Sequence, residues 1–98
     1  MEHKIIDIHC DTVELLSEVI CTEQRDGWSV VAMGLILGDE VMVLVKRDKR
    51  FQHEVIPIEA GSRAELNAII AEKIAEGAKV CAIGNCGDIP IIIIKKPL

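Results

Sequence analysis

One feature constrains this chain more than any other: it aligns with itself, without a gap, when residue 3 is laid on residue 53. HKIIDI (3–8) then falls on HEVIPI (53–58), Thr12 on Ser62, Asp26-Gly27 on Glu76-Gly77, VVAMG (30–34) on VCAIG (80–84) and VMVL (41–44) on IIII (91–94). Ten aligned pairs are identical, at His3, Ile6, Ile8, Leu16, Ile20, Gly27, Val30, Ala32, Gly34 and Lys46 with their partners. The matches fall where structure is decided: apolar strand positions, a helical stripe and a helix stop. The 98 residues therefore read as a single domain made of two pseudo-symmetric repeats, 3–48 and 53–98.

Each copy parses the same way. A short strand, KIIDIHC or EVIPIEA, alternates loosely between apolar and polar residues. A helix follows, opened by Asp11-Thr-Val-Glu14 or Ser62-Arg-Ala-Glu65, each an oxygen-bearing cap with a glutamate three residues on. Leu16, Val19 and Ile20, and Leu66, Ile69, Ile70 and Ile74, give the stripe at helical spacing. Gly27 and Gly77 end the helices. Two strands come next, WSVVAMGLIL and VMVLVK or KVCAIG and IIIIKK, joined by Gly38-Asp39 or Gly87-Asp88 turns. The prediction is an α+β fold of two tandem βαββ repeats. Its strands are expected at 3–10, 28–37, 40–47, 53–60, 78–85 and 90–96, and its helices at 12–26 and 62–76. The six strands are expected to form one mixed sheet with both helices on one face.

Such a sheet should be polar on its open face, yet VVAMGLIL, VMVLV and IIII are apolar on both. Two helices cover only one side, and a soluble monomer does not expose a patch of this size. The expected cover is a second copy of the chain, with Val41, Val43, Val45, Ile91 and Ile93 at the interface. Burial of about 600 Å² per partner at ~25 cal/mol/Å² is a gross gain of ~15 kcal/mol before association costs. A sheet that closes on itself, or an apolar ligand against it, would solve the same problem. Lys95, Lys96 and Pro97 read as residues that stop the isoleucine strand from stacking further.

Net charge is −5, from 11 basic and 16 acidic residues, which argues against tracking a nucleic-acid backbone. The basic run Lys46–Arg50 reads as a solvated linker, with an acidic partner or phosphate as its functional alternative. MEHKIIDIHC lacks the apolar core of a signal peptide, and no apolar run reaches the roughly 18 residues of a membrane helix. These features predict a cytoplasmic protein, with Cys10, Cys21, Cys81 and Cys86 as reduced thiols.

Chemistry-bearing residues are few. His9-Cys10-Asp11 could build a thiolate or metal site, but neighbours on a strand point to opposite faces, and Asp11 also reads as a cap. Cys81 and Cys86 are spaced C-x4-C, unlike the C-x2-C pairs of zinc sites; Cys81 is expected in a strand core and Cys86 in a turn. Asn85, Cys86 and Asp88, in GNCGD, read as turn formers or as a weak binding loop that lacks the lysine of a phosphate loop. His3 and His53 occupy equivalent positions, as a pair on a shared groove or as solvated edge residues. Trp28 starts the strand after the first helix, either as a plug between helix and sheet or as a partner-binding residue. No cofactor, metal or catalytic residue is predicted.

The tandem strand-helix-strand-strand order resembles the tautomerase superfamily, which implies a trimer. The proline base of that chemistry would follow the first methionine, where this chain has Glu2, so the activity is not implied. The stretch Asp26-Gly27-Trp28-Ser29-Val30-Val31 resembles a small bacterial family of unknown function, whose helix runs into Glu-Gly-Trp-Glu-Leu-Val. That resemblance covers residues 11–47 and implies no substrate, cofactor or catalytic residue.

The expectation is a non-enzymatic homo-oligomeric interaction or scaffold protein that uses its apolar sheet face to bind itself, another protein or a small molecule. It involves no nucleic acid and no membrane. The first alternative is a ligand-binding protein or enzyme with a pocket at a protomer boundary, lined by His9, Cys10, Trp28 or the GNCGD turn. The second is a thiol-based metal or redox module.

Overall fold

Both copies fold in the predicted order. The computed structural model describes residues 2–8, 12–47, 50–59 and 61–97, and everything below concerns these. Copy one supplies β1 (His3–Asp7), α1 (Val13–Arg25), β2 (Trp28–Ile36) and β3 (Asp39–Lys46). Copy two supplies β4 (Phe51–Pro57), α2 (Arg63–Ala75), β5 (Lys79–Cys86) and β6 (Ile89–Pro97).

The helix ends follow local chemistry. Thr12 caps α1, its Oγ1 accepting from the Leu15 amide at 3.1 Å, one residue later than the expected Asp11, which lies outside the described residues. Ser62 caps α2, its Oγ accepting from the Glu65 amide at 3.2 Å, while Glu65 reaches back to the Gly61 amide at 2.8 Å. Gly27 and Gly77 follow the helices at φ 91° and 92°, where a Cβ would clash with its own backbone.

The expected single mixed sheet is not what forms. The strands make two antiparallel three-stranded sheets: sheet A in the order β1-β3-β2, sheet B in the order β4-β6-β5. The last strand of each copy lies in the middle and pairs on both sides within its own copy. At the β2 edge, the Val30 amide and carbonyl bond to the side chains of His53 and Lys95, so no strand of copy two adds there. Both β2 and β5 carry a bulge at the same place, between Val30 and Ala32 and between Val80 and Ala82.

Cross-strand partners share a face, so the register sorts every side chain. In sheet B, Val55, Ile93 and Ala82 form one row, while Ile56, Ile92 and Ile83 form the next on the opposite face. Ile92 and Ile94 pack with Leu66 and Ile70 of α2 and with Ala78. Ile91, Ile93, Ala82 and Cys86 face the other way, into a core shared with copy one: Leu16 and Ile20 of α1, Val30, Met42 and Leu44. The order is therefore sheet A with α1 on its inner face, then sheet B, then α2. Sheet B has copy one on one side and α2 over part of the other, so its isoleucines at 91–94 are all buried by its own chain. The isoleucine run needed covering, and the duplication covers it internally.

Candidate interaction surface

The junction between the copies is polar at its rim. His53, on β4, has its ring Nε2 3.1 Å from the Val30 amide, which donates to it. Its Nδ1 lies 3.1 Å from Gln24 Oε1 on α1, and its own backbone amide donates to the same oxygen at 2.7 Å. Nε2 accepts, so Nδ1 carries the proton and the ring is neutral. Burial, and then the nearby Lys95 charge, hold the His53 pKa down at about 4. Lys95 sits opposite His53 on β6 and donates to Ser29 Oγ at 2.9 Å and to the Val30 carbonyl at 3.3 Å. Its ammonium lies 4.9 Å from the centre of the Phe51 ring, and burial lowers its pKa. Lys95 is thus a buried bolt between the copies rather than a guard at a solvated strand end. His53 is likewise a core histidine rather than a solvated one.

Beside this closed junction stand two partly uncovered surfaces, the first open at Ile5, Ala32 and Ile36 but closed at Val41 and Val45. The first is the outer face of sheet A. Ile5, Val43 and Ala32 form a row there, equivalent by the duplication to Val55, Ile93 and Ala82 in sheet B. Ile93 is 0% exposed, whereas Ile5 is 57% exposed, Val43 half-buried and Ala32 open. Ile36 is exposed where its counterpart, Cys86, is buried. The second surface belongs to α2 and β5. A groove of about 610 Å³ opens there, lined by Ile58, Ser62, Leu66, Ile83, Gly84 and Asn85 among others. In copy one, the counterparts Ile8, Leu16 and Met33 lie in or against the shared core.

The residues singled out in the sequence scatter. His9 and Cys10 lie outside the described residues. Trp28 is half-buried against the shared core, with Lys4 Nζ 4.3 Å and Lys46 Nζ 5.6 Å from its ring centre; Lys4 also pairs with Glu23 at 2.7 Å. It plugs the end of α1 against the sheet, under a lid of two lysines. Asn85 lines the groove and Asp88 is exposed in the β5–β6 turn. Cys86 is not a turn residue but the buried end of β5, and it is disulfide-bonded, so the thiols are not all free; Cys21 and Cys81 are. The Cys81 thiol donates to the Ile93 carbonyl at 3.2 Å, and burial pushes its pKa up to about 11, the reverse of a reactive thiolate. Cys81 and Cys86 therefore do not act as a pair. Among the described residues no three His, Cys, Asp or Glu side chains converge as metal ligands.

Of the five expected interface residues, Ile91 and Ile93 are corrected: they are fully buried within the chain and form the interface between its two copies. Val41 and Val45 are also buried, and Val43 remains partly open. From the basic run, Lys46 and Arg47 are exposed, and Arg50 donates to the Arg25 carbonyl at 3.0 Å, tying the linker to the end of α1.

Sequence reasoning missed the group His53, Lys95, Gln24 and Ser29. Its signal was the pattern of disagreement between the copies. Gln24 aligns with the exposed Ile74 and Lys95 with Val45, so each polar member stands where the other copy has an apolar residue.

No protein family, curated protein or solved structure matches this chain. No helix among the described residues is long and apolar enough to cross a membrane.

Proposed function

We propose that this is a non-enzymatic interaction protein that works as a homo-oligomer, using the outer face of sheet A as its contact surface. One observation carries the reading. In the row Ile5, Val43 and Ala32 the two outer residues lie open and Val43 is half-buried, between the buried Val41 and Val45, while the equivalent row of sheet B is core. The same apolar design is thus covered once and left partly uncovered once, which is how a surface reserved for a partner differs from one that is merely polar-poor. The buried titratable groups are locked in structural bonds, which supports a binding role over a catalytic one.

Light scattering coupled to size exclusion tests this. The wild-type protein is expected to run above its 10.8 kDa chain mass at tens of micromolar, and Ile5→Lys to shift it toward the monomer while it stays folded. A wild-type protein that stays monomeric to several hundred micromolar overturns the reading.

A further inference from the structure

The chain already contains one solution to the problem of covering this face. Sheet B presents Val55, Ile93, Ala82 and Cys86 to copy one. The surface that receives them is not the same face of sheet A. It is the opposite one, together with α1 and the β2 edge. Met33 shows the contact directly: its Sδ and Cε lie within 3.3 Å of the position a Cβ would take on Gly84, so β2 of copy one rests on β5 of copy two. The two copies are related head to tail, with unlike surfaces in contact.

A head-to-tail pair leaves one surface of each kind unused. The unused donor is the outer face of sheet A, where Ile5, Val43, Ala32 and Ile36 repeat Val55, Ile93, Ala82 and Cys86. The unused acceptor is the groove beside α2 and β5. Ile83 there repeats Met33 and is 53% exposed, and Ile74 repeats Gln24 and is 57% exposed. The residues that make these two surfaces differ from the internal pair compensate one another. Internally the donor brings Lys95 to the acceptor's Ser29; the unused acceptor carries its own lysine there, Lys79, while the donor position is Val45, already buried within its own chain. The donor carries Asp7 in place of Pro57, and the acceptor Arg63 in place of Val13, so the added charges are of opposite sign. His3 repeats His53, placing an imidazole at the matching position of the donor.

From this we infer that a second copy of the chain seats the outer face of its sheet A in the α2–β5 groove, repeating between molecules the contact that joins the two copies within one. The inference rests on the self-association proposed above and fixes its geometry. Unlike surfaces in contact make a heterologous interface, which closes into a ring or runs on as a filament but does not stop at a two-fold dimer.

Complementary half-blocked variants test it. Val43→Glu spoils only the donor and Ile83→Glu only the acceptor; circular dichroism confirms that both stay folded, and Ile5→Lys and Ile74→Glu serve as second variants of each kind. The wild type is expected to form species larger than a dimer. Each variant alone is expected to be a monomer. An equimolar mixture of the two is expected to give a 1:1 dimer, twice the 10.8 kDa chain mass, because one intact donor and one intact acceptor remain. If Val43→Glu is monomeric while Ile83→Glu assembles like the wild type, and the mixture yields no dimer, the head-to-tail geometry is overturned but association through sheet A stands. A wild type that never associates overturns both.

Discussion

Leu16 and Leu66 are the same residue at the same place in the same kind of helix, and so are Ile20 and Ile70. The first of each pair is fully buried; the second remains partly open to solvent. Every local instruction is shared: the cap, the glycine stop and the apolar stripe. The difference lies in what stands on the far side of each helix. The helix of copy one is closed off by sheet B, and that of copy two by nothing among the described residues. Burial in this molecule is a property of position in the stack as much as of sequence, and the end unit is the one exposed to solvent.

Truncation at the paired positions gives the largest expected effect. Leu16→Ala removes a side chain from a core closed on all sides and should cost about 3–4 kcal/mol, whereas Leu66→Ala, beside the open groove, should cost about 1–2 kcal/mol. Urea unfolding of both variants at low protein concentration measures the gap. Equal costs would show that the two copies are enclosed alike. If the gap narrows as concentration rises, a second molecule is closing the groove.

The repeated histidines give the next contrast. His53 must stay neutral to accept from Val30, and its pKa falls from 6.5 to about 4 on folding. The unfolded chain therefore binds the proton first. Stability from this group is complete above pH 6.5, declines as pH falls and is lost below about 4. At ~1.4 kcal/mol per pH unit the full loss is about 3 kcal/mol. His53→Gln keeps an acceptor for Val30 but does not titrate, so the drop in stability between pH 7 and pH 4.5 should be visibly smaller than in the wild type. The same slope in both proteins would mean that carboxylates alone drive acid unfolding.

These contrasts also mark how far the sequence could be read. The unit was legible because its signals are local: Ser62 and Glu65 at a helix start, Gly27 and Gly77 at the stops, alternation in the first strands. The need to hide both faces of residues 91–94 was legible too, since four consecutive isoleucines on a strand place two on each side. How they are hidden was not. Whether the copies pack through like or unlike surfaces depends on contacts fifty residues apart, and each copy's sequence is compatible with either. The polar junction was hidden for the same reason. Lys95 follows an isoleucine run and precedes Lys96 and Pro97, so by local reading it belongs in solvent; only the sheet register puts it on the face that meets Ser29.

The smallest expected effect comes from the hairpin tips, where copy one has Leu37-Gly38 and copy two Gly87-Asp88. Gly87 opens the β5–β6 turn at φ 62°, and its counterpart Leu37 holds φ 52° at the β2–β3 turn, followed by Gly38 at 84°. Two positive φ values in succession fit the type I′ turn that suits the twist of a hairpin. Leucine is a poor residue for the first of them, since its Cβ crowds the backbone there. The side chain offers nothing in return, being 98% exposed. Leu37→Asn makes the turn Asn-Gly and should raise stability by about 0.5–1 kcal/mol in a thermal or urea unfolding experiment, while Gly87→Leu, which puts a Cβ at the positive-φ position of the copy-two turn, should lower it by about 1 kcal/mol. If Leu37→Asn instead weakens self-association with no gain in stability, the leucine is held in its unfavourable conformation by a contact with another molecule, and the tip of sheet A joins its outer face as part of the interface.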